Sequence, residues 1–410
     1  MTRLSSGPAL RALPVAAMLF LAAACAPSDR SGEANPDAPV VRNEGAGAWA
    51  PGQEWRLGET ARIGADGEGN GVELGNIVGV ALDPMGRVWV ADAQAFAVHV
   101  FDSAGKHVRT LGRKGGGPGE YSQLAGMAWG PDGKLWVQDA GNARFTVYDT
   151  AGRVVATHPR ESSVSMIPWP GGYDREGRLY DVASVRRPGG AASLPRAGGT
   201  EPGLVRMSGT MEPTDSFRLP EFKGRYFEIT SSAAGSRSVS RIDVPFAPTQ
   251  IWHLDAGGHV WTATTDRYRL VQHAFDGDTV RVVERAYQPV AVSSEDIDRV
   301  LEGYSAFTRQ GGRIDRSLIP RTKPALADFF VDPDGYLWVL PFRRPDAPRA
   351  IDVFDPRGRF LGTLPTGTLI VGSPQPAMRG NRMAAATFSP DGVPQVVVFR
   401  IDKDAAASRN

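Results

Sequence analysis

The chain has 410 residues, 41% hydrophobic and 22% charged, with 48 Gly, 32 Pro and a formal net charge of +1. That balance excludes a disordered or collagen-like chain and fits a turn-rich globular fold. Near-neutral bulk charge without a nucleic-acid-binding motif argues against a nucleic-acid partner. A single cysteine excludes an internal disulfide, so the fold must hold by packing alone.

In chain order, the first predicted element is a processing segment. Arg3 and Arg11 precede the apolar run LPVAAMLFLAAA at 13–24. The run is too short to span a membrane but suits the core of an export signal. It ends in AAAC, with small residues before Cys25, and so resembles the bacterial lipoprotein box, in which the cysteine is lipidated after residues 1–24 are removed. Ala26 follows rather than Asp, so the resemblance implies an outer-membrane lipoprotein, facing the periplasm or the cell surface and held to the membrane through Cys25. Residues 26–50 carry few bulky apolar side chains. With Cys25 they are expected to form a disordered tether over 25–50. As a flexible coil it would span about 25–30 Å. The remaining 51–403 is expected to be one domain.

DGEGNG at 66–71 has the opening spacing of a calcium loop, but its twelfth position is Ile77 rather than Glu, so it reads as a turn. A repeat then begins. VGVALDPMGRVWVADAQAFAVHVFDSAGKHVRTLG (78–112) and AGMAWGPDGKLWVQDAGNARFTVYDTAGRVV (125–155) have the same order of parts. Each reads as a short apolar strand, a glycine turn, a Trp-bearing strand, a loop, a third strand, a second glycine turn and a fourth strand. Four antiparallel strands at this repeat length mean a propeller or a solenoid.

The turn glycines set a register: Gly86, Gly133, Gly177, Gly258, Gly335 and, more weakly, Gly380. Three positions later stand Trp89, Trp136, Tyr180, Trp261, Trp338 and Met383, expected to pack on neighbouring sheets. Six registers predict an all-β, six-bladed β-propeller of four-stranded antiparallel blades. In the last blade, PAMR (376–379) supplies the first strand and EWRLGETARIG (54–64) the fourth, so an N-terminal strand closes the ring. A rival register, with the turn at 389–392, fits the spacing less well. Between blades one and two lies GRKGGGPGEYSQL (112–124). It matches neither the dinucleotide fingerprint nor the P-loop spacing, and a strand follows instead of a helix. It reads as a connector. VSSEDIDRVLEGYSAF (292–307) carries a Ser cap, early acidic residues and apolar positions at Ile297, Val300, Leu301 and Tyr304, which predict one short inserted helix near 293–303. That helix is expected to pack on the propeller as a lid or buttress.

ALDPMGRVWVAD, KGGGPGEY, GPDGKLWVQDAGNARFTVYD and VDPDGYLWVL together resemble the NHL-repeat type of six-bladed β-propeller. The whole is similar to bacterial propeller lipoproteins of unassigned function. Related six-bladed families include lactonases, a lyase and pure binding modules, so the resemblance leaves function open.

In an up-and-down blade, the second–third loops and the blade connectors share one face. All long insertions fall there: 186–202, 220–249, 287–323 and 341–349. Over 112–121, 186–202, 220–249, 304–323 and 342–349 there are about 17 Arg or Lys against about 7 Asp or Glu. Arg113, Lys114, Arg186, Arg187, Arg225, Arg309, Arg313, Arg343 and Arg344 are the candidate ligand-binding residues. Clustered positive charge would draw an anionic glycan or an acidic envelope protein to this rim. The competing reading is that solvated loops simply carry arginine.

A lactonase-like reading would place a calcium ion in the channel, held by Asp92, Asp139, Asn142, Asp266 and Asp328. The resemblance also implies the opposite, since aspartates in VAD and VQD stabilise loops in non-catalytic NHL propellers. His253 sits in a crowded inner strand and reads as a satisfied core histidine before a base. No linear catalytic motif is present, so the catalytic residues, if any, are unassigned. The favoured expectation is a membrane-anchored binding module with no cofactor. The alternative is a calcium-dependent hydrolase of the lactonase type.

Overall fold

The computed structural model describes residues 38–64, 71–160, 169, 171–185, 201–233, 236–343 and 347–403. The signal segment, Cys25, residues 66–70, Arg186, Arg187 and Arg344 lie outside them. The described residues form a six-bladed β-propeller of four-stranded antiparallel blades. Blade 1 comprises Ile77–Leu82, Val88–Asp92, Ala97–Phe101 and His107–Leu111. Blade 4 runs from Gln250–Leu254 to Thr279–Arg285, and blade 5 from Leu326–Val331 to Phe360–Pro365. Blade 6 takes Ala377–Arg379, Arg382–Phe388 and Pro394–Asp402 from the C-terminal end and Arg56–Ile63 from the N-terminal end.

Strand alternation explains why the blades stack. In blade 1, Trp89 and Ala91 pack towards blade 2 with Tyr121 and Leu135, whereas Val88 and Val90 pack towards blade 6 with Val396 and Val398. Six such inter-blade cores close the ring. All six register aromatics or their equivalents are buried. Met383, however, faces blade 5 instead of blade 1. The blade-6 turn leaves only two residues between the paired Arg379 and Arg382, against a longer turn elsewhere. Three residues fewer is an odd change, which sends the corresponding side chain to the other face.

The recurring turns also share a lock. Asp83 accepts the indole N–H of Trp89 at 3.1 Å while its other oxygen accepts the backbone N–H groups of Met85 and Arg87. Asp255 does the same for Trp261 at 2.9 Å and Asp332 for Trp338 at 3.1 Å. Asp174 accepts the hydroxyl of Tyr180 at 2.8 Å. In blade 2 the residue is Gly130, and the buried Trp136 indole N–H has no acceptor among the described residues.

The expected tether ends earlier than the sequence suggests. Residues 38–50 are folded: Val40–Asn43 adds a fifth, parallel strand to the outer edge of blade 4. Asn43 donates to the carbonyls of Glu284 at 3.1 Å and Gly358 at 3.0 Å and accepts from the Phe360 N–H at 2.7 Å. Trp49 N–H then binds the Leu361 carbonyl at 2.9 Å, before the chain enters blade 6. Paired backbone and buried apolar contacts replace the entropy that a tether would have kept. This N-terminal belt links blades 4, 5 and 6.

Candidate functional site

The glycine-rich connector after blade 1 is built to be held, not to hold a phosphate. Arg144 donates to the carbonyls of Gly116 at 2.9 Å and Glu120 at 2.8 Å, and Asn142 donates to that of Gly115 at 2.9 Å. The N–H groups of Gly115, Glu120 and Tyr121 bind carbonyls of the same connector. Gly112 has φ +87°, and a Cβ there would lie 2.4 Å from the Tyr121 ring, so glycine is required.

Of the predicted metal ligands, Asp139 and Asn142 meet each other, but the five do not form one cluster. Among the described residues no group of three or more His, Cys, Asp or Glu is placed to hold an ion. Asp92 accepts the N–H groups of Gly75 at 2.7 Å, Asn76 at 3.0 Å and Gln94 at 2.9 Å. Asp139 accepts those of Ser122 and Gln123, and its second oxygen accepts from Asn142 at 2.6 Å. Both aspartates pin a connector to its blade. Asp266 sits on the surface 3.8 Å from Arg267. Asp328 alone lies in an inner strand beside another titratable group: it accepts from His253 Nε2 at 3.0 Å across the blade 4–5 interface. His253 is 6% exposed, and its Nδ1 has no partner among the described residues. Facing a carboxylate, Nε2 is the donor in this pair.

The basic residues divide into occupied and free. Arg113 is ion-paired with Glu120 at 2.8 Å within its own connector, and Lys114 lies 5.3 Å over the Phe96 ring. Arg225 donates to the Leu318 carbonyl at 3.4 Å. Arg309 and Arg313 are exposed and make no ion pair with a described acid, and Arg321 joins them. All three belong to a cap that two successive blade connectors build together. The first connector contributes an antiparallel hairpin, Tyr226–Ala233 with Ser236–Asp243. The second contributes α1 (Ser294–Glu302) and α2 (Ser305–Arg309). Ser293 caps α1 in a reciprocal box with Asp296, as its sequence predicts. Ile297, Leu301 and Phe307 pack on Phe227 of the hairpin, forming a seventh core made of insertions alone. The predicted lid helix thus rests on the inserted hairpin and not on a blade. Lys323, 6% exposed, closes the base of the cap through Asp296 at 2.7 Å and holds that carboxyl down at about 2.

At the foot of the cap, between blades 4 and 5, a polar cluster escaped the sequence reading. Asp352 accepts from the Tyr268 hydroxyl at 2.7 Å and from Arg285 at 3.2 Å. The Arg285 guanidinium lies 3.8 Å over the Phe360 ring. Burial, then the Asp352 charge, pushes the Tyr268 hydroxyl well above its ordinary range, while the charges of Arg285 and Arg343 act the other way. The Nε–H groups of Arg285 and Arg343 are both buried without an acceptor among the described residues. Above this cluster opens a cleft of about 430 Å³ lined by Arg42, Arg267, Arg269, Glu284 and Tyr287, among others. The signal available was the RYR run at 267–269, in a second–third loop of the insertion-rich face.

A second cluster is buried between blades 2 and 3. Arg160 and Asp181 form a two-point pair at 2.7 and 3.1 Å, and Gln138 donates to Asp181 at 2.8 Å. Asp181 interrupts the apolar strand Leu179–Val185, which was its sequence signal.

Residues 71–168 match a family model described as a 6-bladed beta-propeller. The match covers the first two blades, the part where the repeat is clearest. No curated protein matches the chain in sequence. Among solved structures, the chain is similar to a Bacteroides fragilis protein described as a candidate exported protein, at 11% identity over 88% of this chain and 99% of that one, TM-score 0.49. It is also similar to a gluconolactonase of Xanthomonas campestris, at 14% identity over 80% and 87%, TM-score 0.41. A third is virginiamycin B lyase of Staphylococcus aureus, at 10% identity over 84% and 99%, TM-score 0.41. At these identities the likeness concerns fold and carries nothing about activity.

Proposed function

We propose that the protein is an envelope propeller, anchored to the membrane through Cys25, that binds an anionic ligand through its basic, insertion-rich face. The observation that carries this reading is the cap: Arg309, Arg313 and Arg321 are exposed there with no ion pair to a described acid. Some arginines elsewhere have structural duties. Arg382 donates to the Gly86 carbonyl at 2.6 Å and Arg281 to that of Pro356 at 2.6 Å, each tying one blade to the next. Unpaired guanidinium groups on one face raise the local concentration of anions, an effect that salt screens.

The test uses dextran sulfate as the polyanion and neutral dextran as the control. Arg309→Glu with Arg313→Glu is expected to weaken dextran sulfate binding at least about tenfold, because two attractive charges become repulsive. The thermal midpoint should stay nearly unchanged, since both side chains are exposed. Equal binding by the variant and the parent would refute the reading.

A further inference from the structure

The cleft at the foot of the cap has a composition that a purely structural role does not require. Its lining brings four guanidinium groups, those of Arg42, Arg267, Arg269 and Arg285, against two carboxylates, Glu44 and Glu284. Glu284 is shared by two arginines, at 3.4 Å from Arg42 and 3.2 Å from Arg269. One carboxylate between two guanidinium groups leaves part of their N–H donors over for a ligand oxyanion. Arg267 is 74% exposed, and its nearest acid is the adjacent Asp266, 3.8 Å away at the limit of an ion pair. Arg285 is fixed from behind by Asp352 and Phe360, so it contributes charge without mobility. Tyr287 completes the wall with a ring that is 38% exposed, its hydroxyl held by the Asp266 carbonyl at 3.0 Å. Clustered guanidinium donors beside a steadied, half-open aromatic ring suit a ligand that has both an oxyanion and a ring-sized apolar face. A volume of about 430 Å³ lies within the range of small-molecule sites.

We propose that this cleft binds the acidic group and ring of an anionic saccharide, with Arg42, Arg267 and Arg269 as donors to its carboxylate or phosphate and Tyr287 as the platform for its sugar face. The assignment rests on the binding-face reading above and locates its ligand. It has a structural corollary. One wall of the cleft, Arg42 to Glu44, belongs to the N-terminal belt, and the opposite wall belongs to blade 4. A ligand between them joins the two. The belt strand Val40–Asn43 pairs with blade 4 along one edge only. Its amides should therefore exchange more slowly when the cleft is filled.

The experiment titrates the full folded chain with glucuronate, glucose 6-phosphate, inorganic phosphate and glucose, followed by calorimetry and by hydrogen exchange at Val40–Asn43. Saturable binding of glucuronate or glucose 6-phosphate with slower belt exchange is expected. Whichever of the two binds more tightly identifies the oxyanion. Arg42→Gln with Arg267→Gln, both exposed positions, should weaken that binding at least about tenfold, the loss of one charge-assisted hydrogen bond or more. Tyr287→Ala should weaken the sugar acids but leave inorganic phosphate unchanged. Absence of saturable binding, or unchanged affinity in the double variant, overturns the cleft assignment. Inorganic phosphate binding as tightly as glucose 6-phosphate overturns its saccharide part. If poly-glutamate binds and the sugars do not, the site is for an acidic protein and the proposal fails. These outcomes are separable from the cap test: a cleft variant with full sugar-acid affinity, beside cap variants that lose dextran sulfate, removes the cleft and leaves the binding face standing.

Discussion

Gly130→Asp should stabilise the protein. In four of the other blades an aspartate six residues before the second-strand aromatic accepts its polar hydrogen, at 2.8 to 3.1 Å. Blade 2 alone places a glycine there, and the Trp136 indole N–H is buried with no acceptor among the described residues. Leaving a buried donor unsatisfied costs about 1–3 kcal/mol. Replacing a glycine whose backbone suits any residue gains a further ~0.5 kcal/mol by restricting the unfolded chain. The opposing terms are local. A Cβ on Gly130 would stand 2.9 Å from Asp132 Oδ1 and 3.2 Å from Trp136 Nε1. Asp132 is 44% exposed and can swing out, at the loss of its bond to Lys134, while the indole must retreat by a few tenths of an ångström. The net expectation is about 1–2 kcal/mol of stabilisation, or roughly 1–3 °C in the thermal midpoint for a chain this long. Urea unfolding followed by tryptophan fluorescence measures it, with Asp332→Ala as the reciprocal control, expected to lose about 1–3 kcal/mol. A Gly130→Asp variant less stable than the parent, beside a harmless Asp332→Ala, would refute the idea that these carboxylates matter through the indole N–H.

Two further outcomes are expected. Burial pushes His273 down to about 4 in the fold, against its ordinary 6.5. The neutral ring is favoured by folding, so its contribution is intact above pH 6.5 and is lost as pH falls towards 4, by about 3 kcal/mol in total. His273→Gln should flatten that part of the stability profile, measured by urea midpoints between pH 4 and 7; an unchanged slope would show that other groups control acid lability. Asn43→Ala removes the bonds to Glu284, Gly358 and Phe360 that fasten the belt between blades 4 and 5. It should cost about 2 kcal/mol and speed amide exchange along Val40–Asn43, both readable on one folded sample.

Most of the ring was legible because each blade repeats the same local chemistry. The turn glycine needs positive φ, and the aromatic three positions later needs a neighbouring sheet, so the two together mark a blade from the sequence. The closing strand was expected at 54–64 and is Arg56–Ile63, and PAMR contributes Ala377–Arg379. What escaped lacks a local signature. Val40–Asn43 is a four-residue strand whose parallel partner lies more than 230 residues away, so no turn announces it. The inserted hairpin is rich in serine, and the few apolar positions it gives to the cap core, Phe227, Ile229 and Ile242, are too sparse to mark it. The reversal at Met383 depends on turn length, which composition does not report. At the site, the resemblance already implied that the aspartates in VAD and VQD stabilise loops, and both pin a connector to its blade. Only the positions of the Gly75, Asn76, Ser122 and Gln123 amides show that their oxygens are occupied.

Departures from the repeat gather around blade 4, and the physical reason joins fold to function. A regular blade covers both its faces with its neighbours and leaves only a short outer edge. Blade 4 has that edge covered by the belt, and the connectors on both sides of it are enlarged into the cap. The cap carries its own core, which frees its outer surface for arginine. The belt in turn supplies Arg42 to the cleft and, through Asn43, the fastening between blades 4 and 5. One short strand thus braces the blade that bears the insertions and forms a wall of the proposed binding site. If the belt served the fold alone, Asn43→Ala would loosen blades 4 and 5 without altering sugar-acid affinity. If it also forms the site, the same substitution weakens binding as well, since a loosened wall must be ordered again on each encounter.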